Sequence, residues 1–374
     1  MTLSVIILNY KVRYFLEQCI KSVLLATSHI DTEIIVVDND SNDGSCDMVR
    51  SLFPSITLIE NKENVGFSKA NNQGVAVAKG TYVCILNPDT IVSASCFSQC
   101  IRINEQVDNV GAIGPYLLDG TGNFLPESKR NLPTPTISLL KLMGFTRPYY
   151  ANTIDDESLE EVDVLVGAFM FMKRAVYLEV GGFDEDYFMY GEDIDLSYKI
   201  TMAGYKNYYA GTIKVLHYKG ESTQKDAVYL DRFYGAMSIF YKKHYGGKHW
   251  LNSLVNLGVR IAKVMKGSSS SERRKVNKDE EKPILLLTEN FRLLKEISNS
   301  TKLQLTAASK AIFQDTLYEN HLFIFDAEYM PYAQIFKVMQ QQKNRGNLFR
   351  IHPPTAQFFL GSDTSDEKGQ VVTF

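Results

Sequence analysis

A chain of 374 residues with 45% hydrophobic content has the material for two globular domains. Its 40 Lys and Arg against 43 Asp and Glu leave a formal charge of −3, which supplies no basic field for nucleic acid. The five cysteines, Cys19, Cys46, Cys84, Cys96 and Cys100, form no C-x-x-C pair; Cys96 and Cys100 stand at helical spacing without histidines, a poor zinc site, and read as reduced thiols of a cytosolic protein.

In chain order, Ser4-Val-Ile-Ile-Leu8 ends at Asn9-Tyr10, and Glu33-Ile-Ile-Val-Val37 ends at Asp38-Asn-Asp-Ser-Asn-Asp-Gly44. Each run is followed by helix-compatible sequence, the pattern of buried parallel strands. Ligands of open α/β sheets gather outside the carboxyl ends of the strands, where Asp38 falls; the same residue types also make an ordinary strand-to-helix turn. The chain enters a strand directly, so no signal peptide is expected. After the first strand stands Asn9-Tyr10-Lys11-Val12-Arg13 instead of G-x-G-x-x-G, and no Walker-type G-x-x-x-x-G-K-S/T occurs. Hydride-transfer and P-loop chemistries lose their main support.

Asn64-Val-Gly66-Phe-Ser-Lys69-Ala-Asn71-Asn72 opens an amphipathic helix whose amides and polar side chains can turn toward an anion. The strand run Thr81-Tyr-Val-Cys-Ile-Leu86 then delivers Asn87-Pro88-Asp89 to the same sheet edge. Asp89 is a hard oxygen ligand suited to Mg²⁺ or Mn²⁺, although Asn-Pro-Asp-Thr is also a good turn. The stretch from Pro115 to Glu161 is poor in strand signals and reads as a cover beside the site, with Lys129 or Arg130 on a phosphate, or as a solvated loop. Val162 to Met172 reads as a core strand, with Gly167 where a backbone must come close. Glu192, Asp193 and Asp195 open a helix, where acids favour the macrodipole, but that does not account for the aromatic approach Tyr187-Phe-Met-Tyr190-Gly191. His217 closes the strand-like Ile213-Lys-Val-Leu216.

Beyond residue 240 the character changes. Residues 241–266 read as a basic amphipathic helix starting near Trp250, with Leu254, Leu257, Ile261 and Val264 on one stripe, fit for a headgroup region or for protein packing. Residues 267–282, Ser-rich then charged, read as a linker. Residues 283–374 alternate four strand-like runs with helical stretches, the pattern of a small α/β domain with a parallel sheet, in which Asp326 and Glu328 follow a strand end.

The motifs Ser4 to Tyr10, Val37 to Ser45, Asn64 to Asn72, Leu86 to Thr90 and Gly182 to Leu196, in this order, resemble family 2 glycosyltransferases of the GT-A fold, in the bacterial rhamnosyltransferase-like branch. The resemblance covers residues 1–240 and implies a Rossmann-like, mostly parallel α/β catalytic domain, with the C-terminal α/β domain an addition. It implies that Asn9, Tyr10 and Asp38 cradle base and ribose, and that Asn64, Gly66, Lys69, Asn71, Asn87 and Asp89 complete the donor site. The family's Asp-x-Asp metal motif falls on Asn87-Pro88-Asp89, where Asn removes one charge and weakens metal affinity in the absence of donor. A divalent Mg²⁺ or Mn²⁺ would sit on Asp89 with His217. Asp193 maps to the base, with Glu192 in support, and Tyr190, Gly191, Asp195 and Arg130 lie on the acceptor side.

The implied activity is inverting transfer from a dTDP-, UDP- or GDP-linked sugar to a glycan or polyprenyl-diphosphate-linked acceptor, on the cytoplasmic face of the inner membrane. The C-terminal domain would dock a second copy or a pathway enzyme. The alternative is a catalytically inactive nucleotide-sugar-binding scaffold, which needs Asp38 and Asp89 but not Asp193. A nucleotidyltransferase is disfavoured by the lack of a glycine-rich basic first loop.

Overall fold

The computed structural model describes residues 1–142, 145–221, 227–246, 282–364 and 367–374. The first sheet is built from β1 (Leu3–Asn9), β2 (Thr32–Asn39), β3 (Thr57–Asn61), β4 (Tyr82–Leu86), β5 (Thr90–Val92), β6 (Val110–Leu118), β7 (Leu159–Glu161), β8 (Phe169–Lys173) and β9 (Lys206–His217). Its helices are α1 (Arg13–Ala26), α2 (Ser45–Leu52), α3 (Phe67–Val77), α4 (Cys96–Gln106), α5 (Pro135–Leu142), α6 (Arg174–Glu179), α7 (Glu192–Met202) and α8 (Ala227–His244). The strand order among the described residues is β3-β2-β1-β4-β8-β6-β9-β5, with β7 beside β9. β3, β2, β1 and β4 run parallel, β8 is antiparallel to β4 and β6, and β6 is parallel to β9.

The unbroken apolar runs of β1 and β2 follow from burial on both faces. Ile6, Ile35 and Val83 point into one core, while Val5, Val36 and Cys84 point into the other, as the two-residue strand period requires. α1 covers the second face through Leu16, Ile20 and Val23. α3 covers the first so closely that a Cβ on Gly74 would stand 2.6 Å from Ile6 Cγ2.

The strand expected over Val162 to Met172 starts only at Phe169. Before it, the backbone is satisfied elsewhere: Val164 exchanges both its amide and its carbonyl with Arg130, Val162 donates to the Asn207 carbonyl, and Asn207 Nδ2 donates to the Asp163 carbonyl. These partners come from distant segments and leave no ladder to extend. The expected loop at 115–161 likewise contains the end of β6, helix α5 and strand β7.

The second sheet comprises β10 (Ile284–Leu287), β11 (Leu305–Ala308), β12 (Leu322–Asp326), β13 (Leu348–His352), β14 (Phe358–Gly361) and β15 (Gln370–Thr373), in the order β11-β10-β12-β13-β14-β15. The first four strands of that order are parallel and the last two antiparallel. Helix α9 (Phe291–Thr301) packs Leu293 and Ile297 on one face. Helix α10 (Tyr332–Gln342) shares a core with Phe323, Phe325 and Phe349 on the other.

The two sheets meet through a continuous apolar cluster that contains Phe15 and Tyr218 from the first unit and Tyr332 and Ile335 from the second. Tyr14 meets Phe358 edge-on at 5.0 Å, and Lys21 Nζ donates to the Pro354 carbonyl at 2.8 Å. Three glycines make the approach close. A Cβ on Gly122 would lie 2.4 Å from the Met339 carbonyl oxygen, one on Gly120 2.9 Å from Ser362, and one on Gly369 2.9 Å from both Glu221 and Phe15. The Gly369 amide donates to Glu221 at 2.7 Å, and this carboxyl is pushed up to about 8 by burial.

Residues 241–244, expected to begin a separate extension, instead complete α8. Tyr241 is buried, and its hydroxyl donates to the Pro133 carbonyl at 2.7 Å. Trp250 with its apolar stripe, and the linker apart from Lys282, lie outside the described residues. Among the described residues no helix is long and apolar enough to cross a membrane.

Candidate active site

The ends of β1, β2 and β4 share one edge of the sheet. Asn9 and Asp38 are register partners on adjoining strands. Asn9 Nδ2 donates to Asp38 Oδ2 at 2.7 Å and to Ser41 Oγ at 2.9 Å. Ser41 in turn gives its hydroxyl to Asp38 Oδ2 at 2.6 Å and its amide to Oδ1 at 2.9 Å. Asn9 is therefore a brace that aims Asp38, and Ser41, which the sequence pattern did not single out, is its second brace. Tyr10 follows at the rim, half-buried.

The loop into α3 is shaped by Asn64, whose Oδ1 accepts the Gly66 amide at 3.0 Å and Asn39 Nδ2 at 3.2 Å. Gly66 adopts φ 87°, and a Cβ there would stand 2.6 Å from the Phe188 carbonyl oxygen, so only glycine fits. The next amide, of Phe67, donates to that same carbonyl at 2.7 Å. Lys69 is exposed on the first turn of α3. Asn71 is buried, donates to the Phe67 carbonyl at 3.0 Å, and leaves its Oδ1 without a hydrogen-bond partner among the described residues.

After β4, Asn87 is half-buried and Asp89 buried. β5 pairs with the end of β9, placing Thr90 opposite His217 and bringing His217 Nε2 to 3.4 Å from Asp89 Oδ1. That separation is long for a hydrogen bond but suits two donors on one cation, and carboxylate with imidazole is a set that Mn²⁺ accepts. His217 Nδ1 is buried without a hydrogen-bond partner among the described residues. No group of three or more His, Cys, Asp or Glu forms a ready cation cage among those residues, so further ligands would come from diphosphate and water.

Asp193 is the second residue of α7, entered through Tyr190 at φ 71° and Gly191 at φ 79°. Two successive left-handed residues turn the chain sharply into the helix, and for tyrosine that conformation is strained. Asp193 Oδ2 accepts the Gly167 amide at 3.1 Å and Arg130 Nη2 at 2.7 Å. The next residue, Ala168, accepts the Asn87 amide at 2.9 Å through its carbonyl. The dipeptide Gly167-Ala168 thus ties the Asp89 loop to Asp193. Glu192, beside it, is pushed up to about 8 by burial and then by the charge of Asp193.

Two acceptor-side expectations change. Arg130, expected on a phosphate, is buried with its guanidinium on Asp193, Leu165 and Tyr149; Lys129 is buried in an ion pair with Asp156 at 2.7 Å. Asp195 is 1% exposed and held by His244 at 2.6 Å and Lys199 at 3.1 Å, which makes it a brace between α7 and α8. His244 carries no sequence signal for this role, while Gly167, expected where a backbone comes close, makes that close approach through its amide on Asp193.

The mixed, mostly parallel sheet with Asp38 and Asp89 at its carboxyl edge is a GT-A α/β arrangement, and the protein is a glycosyltransferase. Residues 4–181, just under half of the chain, match the model of glycosyl transferase family 2. An N-acetylglucosaminyl-diphospho-decaprenol L-rhamnosyltransferase of Mycobacterium tuberculosis is 27% identical over 263 residues, 66% of this chain and 85% of the relative. The low-salt glycan biosynthesis hexosyltransferase Agl10 of Haloferax volcanii is 28% identical, over 64% of this chain and 77% of the relative. Among solved structures, the mannosyltransferase PcManGT from Pyrobaculum calidifontis in complex with GDP-Man and Mn²⁺ is similar over 72% of this chain and 76% of that chain, with 18% identity and a TM-score of 0.46.

Proposed function

We propose that this protein is an inverting hexosyltransferase that moves a sugar, rhamnose being the first to test, from a nucleoside-diphosphate donor to a hydroxyl of a lipid-linked saccharide. The observation that carries the reading is the pair of hydrogen bonds at Gly167-Ala168, which fastens the Asp89 loop and Asp193 to one dipeptide. A transferase needs its leaving-group side and its base in a fixed relation. Asp38, braced by Asn9 and Ser41, receives base and ribose together with Tyr10. Asn64, Gly66, Lys69, Asn71 and Asn87 line the donor side, and Tyr190 and Gly191 face the acceptor. Asp89 and His217 would hold Mn²⁺ or Mg²⁺, which supplies charge stabilisation on the departing diphosphate.

In the step itself, Asp193 accepts the proton of the acceptor hydroxyl as that oxygen forms its bond to the anomeric carbon. The anomeric carbon–oxygen bond breaks, and the nucleoside diphosphate leaves with the electron pair, so one displacement inverts the centre. The name of the mycobacterial relative supports a polyprenyl-diphosphate acceptor, and with it a site of action at the cytoplasmic membrane face.

The test combines thermal shift with UDP, GDP, dTDP and their sugars, with and without Mn²⁺, and transfer by Asp193→Asn. A metal-dependent shift with one nucleotide family, kept by Asp193→Asn while transfer falls about 10²- to 10⁴-fold, supports the reading. Donor binding without any transfer by the natural chain would favour an inactive scaffold instead.

A further inference from the structure

We propose that Arg130 is a positioning residue of the transfer reaction, its guanidinium fixing the Asp193 carboxylate as counter-charge and clamp. This rests on the reading of Asp193 as the base. The two residues are 63 positions apart in sequence and both are withdrawn from solvent, at 6% and 8% exposure. Arg130 Nη2 donates to Asp193 Oδ2 at 2.7 Å and to the Leu165 carbonyl at 2.5 Å, while Nη1 donates to the Tyr149 hydroxyl at 3.3 Å. The Arg130 backbone is pinned as well, donating to the Val164 carbonyl at 3.1 Å and accepting the Val164 amide at 3.0 Å. Backbone and fork therefore grip the same segment that presents Gly167.

From the side of Asp193, three donors converge. Oδ2 takes Arg130 and the Gly167 amide, and Oδ1 takes the Ile194 amide at 2.8 Å. Two distant segments and the carboxylate's own helix turn hold it in a single orientation, with a cation as its partner. On its neighbour Glu192, Oε2 is buried without a hydrogen-bond partner among the described residues. Of two adjacent buried acids, the fold gives a cation to one, and that one is the proposed base. Lysine at 130 would keep the charge but lose the planar fork that reaches Leu165, Tyr149 and Asp193 together.

The experiment is a double-mutant cycle on the full chain, with Arg130→Met, Arg130→Lys, Asp193→Asn and the doubles. It uses labelled dTDP-rhamnose with N-acetylglucosaminyl-diphospho-decaprenol, or whichever pair of the donor panel the natural chain turns over. Arg130→Met is expected to lower kcat about 10²-fold with donor KM within about 3-fold, and Arg130→Lys to recover about 10-fold of that loss. Combined with Asp193→Asn, Arg130→Met should add less than about 3-fold, because both act through one carboxylate. A donor KM raised about 10-fold at unchanged kcat, or losses that multiply in the double variant, would overturn the proposal and place Arg130 on the donor. If Arg130→Met does not fold by thermal melt, the Arg130→Lys cycle decides: a loss that vanishes when Asn occupies position 193 supports the clamp, and one that persists sinks it. Full transfer by Asp193→Asn alone would instead remove the base reading, and this proposal with it.

Discussion

Each sheet sets an aspartate against a histidine near its strand ends, Asp89 with His217 at 3.4 Å and Asp326 with His352 at 3.5 Å, and the two pairs differ in what else holds them. Asp326 also accepts the Thr288 hydroxyl at 2.6 Å and the Glu328 amide at 3.1 Å, while His352 Nε2 lies 2.9 Å from the Ala356 carbonyl. For Asp89, the side-chain contact among the described residues is His217, whose other ring nitrogen has no hydrogen-bond partner there. His352 Nδ1, like His217 Nδ1, has no hydrogen-bond partner among the described residues, so the pairs differ at the carboxylate: Asp326 is held by a hydroxyl and an amide, while Asp89 keeps acceptor capacity that a ligand can use. Position at a strand end is common to both, and so position alone does not make a site.

The comparison breaks most sharply on Asp89→Asn against Asp326→Asn. The first should cost about 10²- to 10³-fold in transfer by weakening charge stabilisation of the leaving group, with little change in stability. The second should leave transfer intact and lower unfolding free energy by about 1–3 kcal/mol, read by urea denaturation. Equal loss of transfer in both would mean that the second unit also holds substrate.

Acid groups in the two units should respond to pH with opposite sign. Glu192 sits at about 8 in the folded protein against 4.5 for an ordinary glutamate, raised by burial and then by Asp193. Between those values the folded state holds a proton that the unfolded chain has released, so stability falls as pH rises through that window. Glu192→Gln should flatten the decline, worth on the order of a few kcal/mol by pH 8 in melts from pH 5 to 9. Asp326 goes the other way: burial acts to raise it, but His352 and Thr288 hold it below its ordinary 3.8. Its contribution is present above that value and is lost only as pH falls below it, and Asp326→Asn should remove this acid-side loss. A melt profile of Glu192→Gln that keeps the natural slope would show that Glu192 is ionised at neutral pH.

The smallest expected effect is on metal choice. Imidazole favours Mn²⁺ over Mg²⁺, so His217→Asp should move the preference toward Mg²⁺ in metal-dependent nucleotide binding, and His352→Asp should not. A shift from the second substitution would transfer the metal role to the other sheet.

How much of this could be read from residues alone follows from where each one finds its partners. β1, β2, β4 and, in the second sheet, β12 were legible because their apolar runs are buried on both faces, whereas β11 is half-exposed and β13 carries Arg350 and His352. The place of Asn9 and Asp38 at the sheet's carboxyl edge was legible because each ends such a run. Val162 to Gly167 looked like a strand for the same reason, yet its backbone is satisfied by Arg130 and the Asn207 segment. Arg130 itself, basic and next to Lys129, looked like a phosphate ligand, and nothing local signals a carboxylate 63 positions away. Contacts made by folding at long range are the ones that patterning cannot carry.

The glycine-tight seat between the two sheets has a practical consequence for anyone who would treat the C-terminal unit as an exchangeable module. Gly120 and Gly122 lie on one side of the seam and Gly369 on the other, each with room for hydrogen and nothing larger. A graft that imports a foreign C-terminal unit onto this scaffold would have to match both halves of that relief, or the seam would open beside Glu221, four residues beyond His217. Here modularity ends at the level of a single methyl group.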